Sequence, residues 1–229
     1  HGIHNLRRIA LMAQSWTSRI VSEIENRTRQ EPFEFWGKRA NDKTPVFNYR
    51  LEHIKEVVKL SVKLAEELGA DRDVVLSAAW LHDIAKPSLG EKRGRPHEIE
   101  GAIQARKVLE GTDFPPTKID AVCDAIVKHK GLYKDHKVEP LEAAILWDAD
   151  KLSKLGATSI VHFLAAGPWP DDTDYTTEGI LRQNIEWFEV IDKIASSMNT
   201  EPAMKMARKR AQVFKEFFRQ LERESEAKE

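Results

Sequence analysis

Cysteine occurs once in the 229 residues, as Cys123, so a disulfide framework is excluded and a reducing compartment, the cytoplasm, is expected. Long apolar runs are missing: nothing approaches the roughly 20 residues that span a bilayer, so no membrane partner is expected. A charge of one sign is missing too. The chain has 36 basic and 37 acidic residues and a formal net charge of -1, which gives no global pull towards nucleic acid, so no duplex nucleic acid is expected as partner. No secretory leader is visible, and His1-Gly2 reads as a tag remnant to be left out of fold reasoning. No strand alternation, internal repeat or low-complexity tract is found beyond a charged C-terminal tail.

What remains is a globular composition, 41% hydrophobic and 32% charged, long enough for one well-buried domain with a small extension. The expected layout is an N-terminal helix and loop over 1–48, a main domain over 49–224 and a tail over 225–229. The spacing predicts helices throughout. The first covers 3–30, with Ile9, Leu11, Met12, Trp16, Ile20, Val21 and Ile24 on its apolar side. Another covers 50–68 and ends at Gly69. Further helices start at His97 and after Thr117, a helix from Pro140 runs through LEAAILWDADKLSKLGA, and two amphipathic helices cover 178–198 and 202–224. The fold class is all-α, a helical bundle around a buried polar site.

The chain is organised around Val74–Lys86, VVLSAAWLHDIAK, which reads as a helix apolar nearly all round, capped by Asp71 and ended by Pro87. Within it stand adjacent His82 and Asp83. A carboxylate in a core costs several kcal/mol unless it is neutralised, which a bound metal would do. His53 shares an inward stripe with Val57, Leu60 and Leu64, and His129 shares one with Ile119, Val122 and Ile126. Asp148 and Asp150 lie about 200° apart on one predicted helix, so only one of them can face a central site. Periodicity leans to Asp148, which extends the stripe Leu141, Ile145, Leu152 and Leu155.

The order H…HD…D, with LHDIAK round the doublet and DADKLSKLGA round the last aspartates, resembles the HD-domain metal-dependent phosphohydrolases. HEIEGA at 97–102, IVKH at 126–129 and a closing helix TEPAMKMARKR at 200–210 extend the likeness over about residues 50–224. The resemblance implies that His53, His82, Asp83 and Asp150 bind a metal, choosing Asp150 against the stripe because it directly precedes Lys151-Leu152. It leaves His97 and His129 as ligands of a second metal or as contacts to substrate phosphate. One or two divalent ions are implied, with Mn first and Fe, Co, Mg or Zn open. A metal so held lowers the pKa of a water and polarises a phosphoryl oxygen. Asp83, Lys86, His97 and His129 are the catalytic candidates. Lys86, Arg93 and Arg95, from the basic stretch 86–96, are the candidates for holding substrate phosphate. A small phosphorylated molecule, a nucleotide by resemblance, is the implied substrate, and homo-oligomerisation is left open. Against a cyclic-dinucleotide phosphodiesterase stands KGLYKDHK after His129, which has neither HHE nor GYP. The same order of histidines and aspartates is compatible with a di-iron oxygenase of the superfamily and with a metal-stabilised regulatory module. His136, His162, Trp80, Trp147 and Cys123 are read as surface or packing residues.

Overall fold

The computed structural model describes residues 15–29, 47–86, 95–166, 174 and 176–226. Among these residues the fold is all-helical, with no strand. The helices are α1 (Trp16–Arg29), α2 (Tyr49–Leu68), α3 (Arg72–Leu81), α4 (His97–Leu109), α5 (Ile119–Lys128), α6 (Leu141–Leu152), α7 (Gly156–Ala166), α8 (Thr177–Glu186), α9 (Phe188–Ser196) and α10 (Glu201–Ser225). A 3-10 turn, Pro116–Lys118, leads into α5. The predicted helix over 3–30 is described only from residue 16 to 29, and its earlier part lies outside the described residues. No helix among the described residues is long and apolar enough to cross a membrane.

The core is built by α2, α3, α5 and α6, which pack on one another, with α4 laid on α5 and α1 on α3 and α4. Each presents the stripe its spacing predicts. On α2, His53, Val57, Leu60 and Leu64 are buried; on α5, Ile119, Val122 and Ile126 are buried and His129 caps the end. Ile20 and Ile24 of α1 join the same core, and the Trp16 ring stands edge-on to Phe114 at 5.1 Å. Helix α10 gathers α7, α8 and α9 along its length and docks on α6. Its stripe Ala207, Ala211, Phe214 and Phe218 is buried.

Three expectations change. The central helix stops at Leu81, and His82–Ala85 form turns instead of continuing to Lys86. The His82 side chain accounts for the break: its Nδ1 lies 2.8 Å from the Ala79 carbonyl oxygen, taking up a helix acceptor. The backbone then tightens to bonds from Ile84 N to Leu81 O and from Lys86 N to Asp83 O, three residues apart, which aim His82 and Asp83 separately. The helix from Pro140 ends at Leu152, and the chain turns through 153–155 before Gly156, at φ +78, opens α7. There a Cβ would lie 3.0 Å from Cβ of Arg210, so the close passage of α10 and the positive φ both call for glycine. Finally, 178–198 is two helices, with a break at Trp187.

The aspartate pair is resolved by the whole fold. Both Asp148 and Asp150 are buried, but only Asp150 faces the histidines, so the lean of the stripe towards Asp148 is corrected. Asp148 instead meets the start of α10. Its Oδ1 accepts from Asn199 N at 2.7 Å and Asn199 Nδ2 at 2.8 Å, and its Oδ2 accepts from Thr200 N at 2.8 Å and Thr200 Oγ1 at 2.7 Å. A carboxylate at a helix N-terminus is favoured by unpaired amides and by the helix dipole. Burial nevertheless pushes the Asp148 carboxyl up, against these four hydrogen bonds.

Candidate metal centre

Four imidazoles stand in a row across the core. His53 of α2 is edge-on to His82 at 5.4 Å between ring centres, His82 to His129 at 5.2 Å, and His129 to His97 at 5.4 Å. Two carboxylates face the row. Asp150 Oδ1 is 3.4 Å from His53 Nε2; Asp83 Oδ2 is 3.8 Å from His53 Nε2 and 3.7 Å from His82 Nε2. The other oxygen of Asp83, Oδ1, is 3.6 Å from His129 Nε2. The side chains fall into two trios, His53, His82 and Asp150, and Asp83, His97 and His129, each with ligand atoms within 4.8 Å of one another. Asp83 therefore turns one oxygen to each trio.

The tautomers of three histidines follow from their outer hydrogen bonds. His82 Nδ1 faces Ala79 O, and His129 Nδ1 faces Ile126 O, so both nitrogens carry the proton. His53 Nδ1 is 3.1 Å from Ser153 Oγ, whose own proton goes to Asp150 O at 2.6 Å. The hydroxyl must then accept from His53 Nδ1–H. All three Nε2 atoms are left as lone pairs aimed into the cluster. His53 Nε2 and His82 Nε2 lie 3.3 Å apart with no proton between them. Donors sharing one ion at about 2.1 Å are separated by about 3 to 3.5 Å, so these residues fit a first-row cation. Buried His-metal sites hold their ligands by the same outer bonds to carbonyls and hydroxyls.

Charge neutralisation is a separate matter. Arg50 Nη1 is 3.3 Å and Lys86 Nζ 3.0 Å from Asp83 Oδ2; Lys154 Nζ is 2.7 Å from Asp150 Oδ1, and Lys151 Nζ bonds Asp150 Oδ2. Two carboxylates thus meet four cationic side chains. Burial opposes ionisation of Asp83 and Asp150, but Lys86 beside the first, and Lys151 and Lys154 beside the second, hold both well below the usual carboxylate range. Burial pushes His82 down to about 4 and lowers His53 and His97, which keeps these rings neutral. Burial also brings Lys151 down to about 8, although Asp150 opposes it; its Nζ donates to His129 O at 3.0 Å and lies 4.4 Å from the centre of the Trp147 ring. The buried acids are neutralised by protein cations, so the lone pairs, and not the carboxylates, are what ask for a metal. The surplus positive charge suits an anionic substrate.

The structure brings His53, His82, Asp83, Asp150, His97 and His129 into one cluster, with Lys86 on its rim at 39% side-chain exposure. Arg95 stands apart from this set, with its guanidinium 3.5 Å from Glu100. Arg93 lies outside the described residues. His97, half-buried, has Nδ1 3.3 Å from Glu98 Oε2, and Glu98 is buried with its other oxygen 2.6 Å from Lys130 Nζ. Sequence reading passed over Arg50, Lys151, Ser153 and Lys154. Spacing could have found two of them: Arg50 precedes His53 by three residues on α2, and Lys154 follows Asp150 by four. Of the residues read as packing or surface, Trp147 is buried, His136 is exposed, and Cys123 is half-buried with its thiol raised by burial.

Comparison with known proteins agrees with the geometry. The HD domain family model matches residues 50–155, which hold all six clustered side chains. A ribonuclease Y of Thermoanaerobacter pseudethanolicus is 37% identical over 103 residues, 45% of this chain and 18% of that protein. The chain thus spans less than a fifth of that relative. A Bacillus thuringiensis HD-superfamily hydrolase is 23% identical, with 93% of this chain and 100% of that one covered and a TM-score of 0.61. Bacillus subtilis YpgQ, solved in complex with ADP, is 23% identical over 87% of this chain and 96% of that one, with a TM-score of 0.54. The matched segment, the shared helical fold and the buried His/Asp cluster place the chain in the HD-domain superfamily of hydrolases.

Proposed function

We propose that the chain is a metal-dependent phosphohydrolase that cleaves a phosphoester or phosphoanhydride bond of a nucleotide. The observation that carries this reading is the convergence of three imidazole lone pairs and two buried carboxylates on one point of the core. His53, His82, Asp83 and Asp150 would hold one ion, with Asp83, His97 and His129 as the set for a second. Mn is the first choice, and Fe, Co, Mg and Zn suit the same donors. The bound ion would supply an activated water and Lewis-acid polarisation of the phosphoryl oxygen.

The protein's own groups do the rest. Asp83, fixed by Arg50 and Lys86, has its oxygens set to orient a water. Lys86, Lys151 and Lys154 offset the charge that builds on a phosphate in the transition state. His97 and His129, beside the second oxygen of Asp83, are placed to meet substrate phosphate or a second ion. That YpgQ was solved with ADP supports a nucleotide as substrate. The match to ribonuclease Y favours a second reading, a phosphodiester of RNA.

The test is hydrolysis of nucleoside mono-, di- and triphosphates, single-stranded RNA and generic phosphoesters with Mn²⁺ and then the other metals. Phosphate, pyrophosphate, nucleoside and nucleotide products are scored. Release of phosphate or pyrophosphate from nucleotides is expected. RNA cleavage alone would replace it with the second reading. Oxygen uptake by the iron-loaded protein, without phosphorus products, would overturn both in favour of a di-iron oxygenase.

A further inference from the structure

A cleft of about 540 Å³ opens beside the metal cluster, between the turn after α6 and helices α7, α8, α9 and α10. Its volume falls within the roughly 300–1,000 Å³ usual for small-molecule sites. Two residues belong to both places. Ser153 lines the cleft and holds His53 Nδ1; Lys154 lines it and holds Asp150. Tyr49, also in the cleft wall, stacks on His53 at 6.1 Å with 10° between the planes. Three residues of the cleft wall thus touch His53 or Asp150, and Lys154, bonded to Asp150 Oδ1, is the one that reaches the side of the cluster where His53 Nε2 lies.

The cleft has a different chemistry from the cluster. Its walls carry the rings of Tyr49, His162, Phe163 and Trp187, with His162 edge-on to Tyr49 at 6.1 Å and 82°. Trp187 stands at the break between α8 and α9 and is 47% exposed, a large ring left on show at the rim. Two amides, Gln183 and Asn184, supply polar atoms among these apolar faces. Asn184 is 7% exposed and its Nδ2 donates to Ile180 O at 2.7 Å, which fixes the amide and makes Oδ1 its acceptor. Flat apolar faces, a few fixed polar atoms and a lysine at the inner end are the complement of a planar heterocycle with a phosphorylated arm. An alkyl chain would make no use of the amides.

We infer that this cleft is the base subsite of the enzyme: it takes the heterocyclic base of a nucleoside phosphate, with the phosphates lying past Lys154 at the metal cluster. The inference rests on the phosphohydrolase reading and adds the orientation of the substrate. Stacking on Trp187 and His162 gives affinity with little base preference, as every base has a π-face, and Gln183 and Asn184 select among bases by hydrogen bonding.

The experiment is calorimetric titration of the Mn²⁺-loaded full chain with three matched ligands of two kinds, each with a methylene in place of the anhydride oxygen, so that the link between the phosphorus atoms cannot be hydrolysed. One is α,β-methylene-ADP, with α,β-methylene-UDP as a pyrimidine check; the other is methylenediphosphonate, the same anion without a nucleoside. We expect the wild type to bind at least one nucleoside analogue more tightly than methylenediphosphonate. Trp187→Ala and His162→Ala should each weaken the nucleoside analogue about ten-fold and leave methylenediphosphonate and metal content unchanged, with Trp187→Phe restoring most of the loss. Equal affinity of wild type for all three ligands, unchanged nucleoside binding in both alanine variants, or equal losses for nucleoside and bare anion would each overturn the base subsite. Failure of the wild type to bind any of the three would instead overturn the phosphohydrolase reading beneath it.

Discussion

Asp148 and Asp150 show how two like residues, two positions apart, come to different work. Asp150 turns to His53 and to Lys151 and Lys154, whereas Asp148 turns to the start of α10. Asparagine keeps the shape of each and removes the charge. Asp150→Asn is expected to lose bound metal and activity together, by elemental analysis and phosphate release. Asp148→Asn is expected to keep its metal but lose about 2 kcal/mol of stability by denaturant titration, since one acceptor facing a buried N–H becomes a donor. Metal loss in Asp148→Asn with none in Asp150→Asn would reverse the assignment. Lys86 supplies a second test at this scale. Lys86→Ala should retain metal and lower turnover ten-fold or more, about 1.4 kcal/mol of transition-state stabilisation, while Lys92→Ala, in the same basic stretch 86–96 and read from the sequence as a solvated charge, does little. Equal effects from the two would reduce the lysines to a diffuse field.

At the scale of elements, the closing helix is tied in at three places named by the sequence likeness. Thr200 bonds Asp148, Ala207 is fully buried, and Arg210 donates to Leu152 O at 2.8 Å and to Glu56 Oε1 at 3.0 Å. These contacts clamp α10 on the end of α6 and on α2, the two helices that carry Asp150 and His53. Gly156 lies under the same arginine. Gly156→Ala should cost about 1–2 kcal/mol from the positive φ alone, with a further loss where its Cβ meets Arg210, read as a lower denaturation midpoint. A loss no larger than the φ cost would show that Arg210 moves aside and that the clamp is slack, and a neutral result would show that the positive φ is not held. The end of α3 is the other informative element. The apolar pattern of VVLSAAWL marks a buried helix, but the stop after Leu81 comes from a histidine side chain bonding its own helix. Hydrophobic periodicity carries no signal for such a bond.

Across the whole molecule, the buried site makes stability depend on acid. The metal-free protein holds His82 at about 4 against about 6.5 when unfolded, so the unfolded state binds more protons between those values. The contribution is present above about pH 6.5 and is lost as pH falls through about 4, roughly 3 kcal/mol from His82 alone. His53 is lowered in the same direction. Asp83 and Asp150, held below the ordinary carboxylate range, extend the loss at still lower pH. Thermal melts of chelator-treated protein should therefore fall between pH 7 and 5, and a flat profile would mean the rings titrate normally. Adding Mn²⁺ at pH 7 should raise the melting temperature, more so as free metal rises above its dissociation constant. No shift with Mn²⁺ or with any of the other candidate ions would count against the metal centre.

Much of the architecture is local and was therefore legible. The stripes of α2, α5 and α10, the Asp71 cap and the Gly69 stop each depend on residues a few positions apart, so the all-helical class and the inward turn of His53 and His129 follow from the sequence alone. The HD signature likewise comes from residue types in order. What only the tertiary structure decided depends on partners far apart in the chain. Asp148 meets Thr200 across 52 positions, and Ser153 sets the tautomer of His53 across 100. Arg50 reaches Asp83 across 33. One dimension records the period of a helix, because its neighbours are chain neighbours. Which carboxylate faces which cation, and which nitrogen of each imidazole keeps its lone pair, is settled only when separate helices close on the same point.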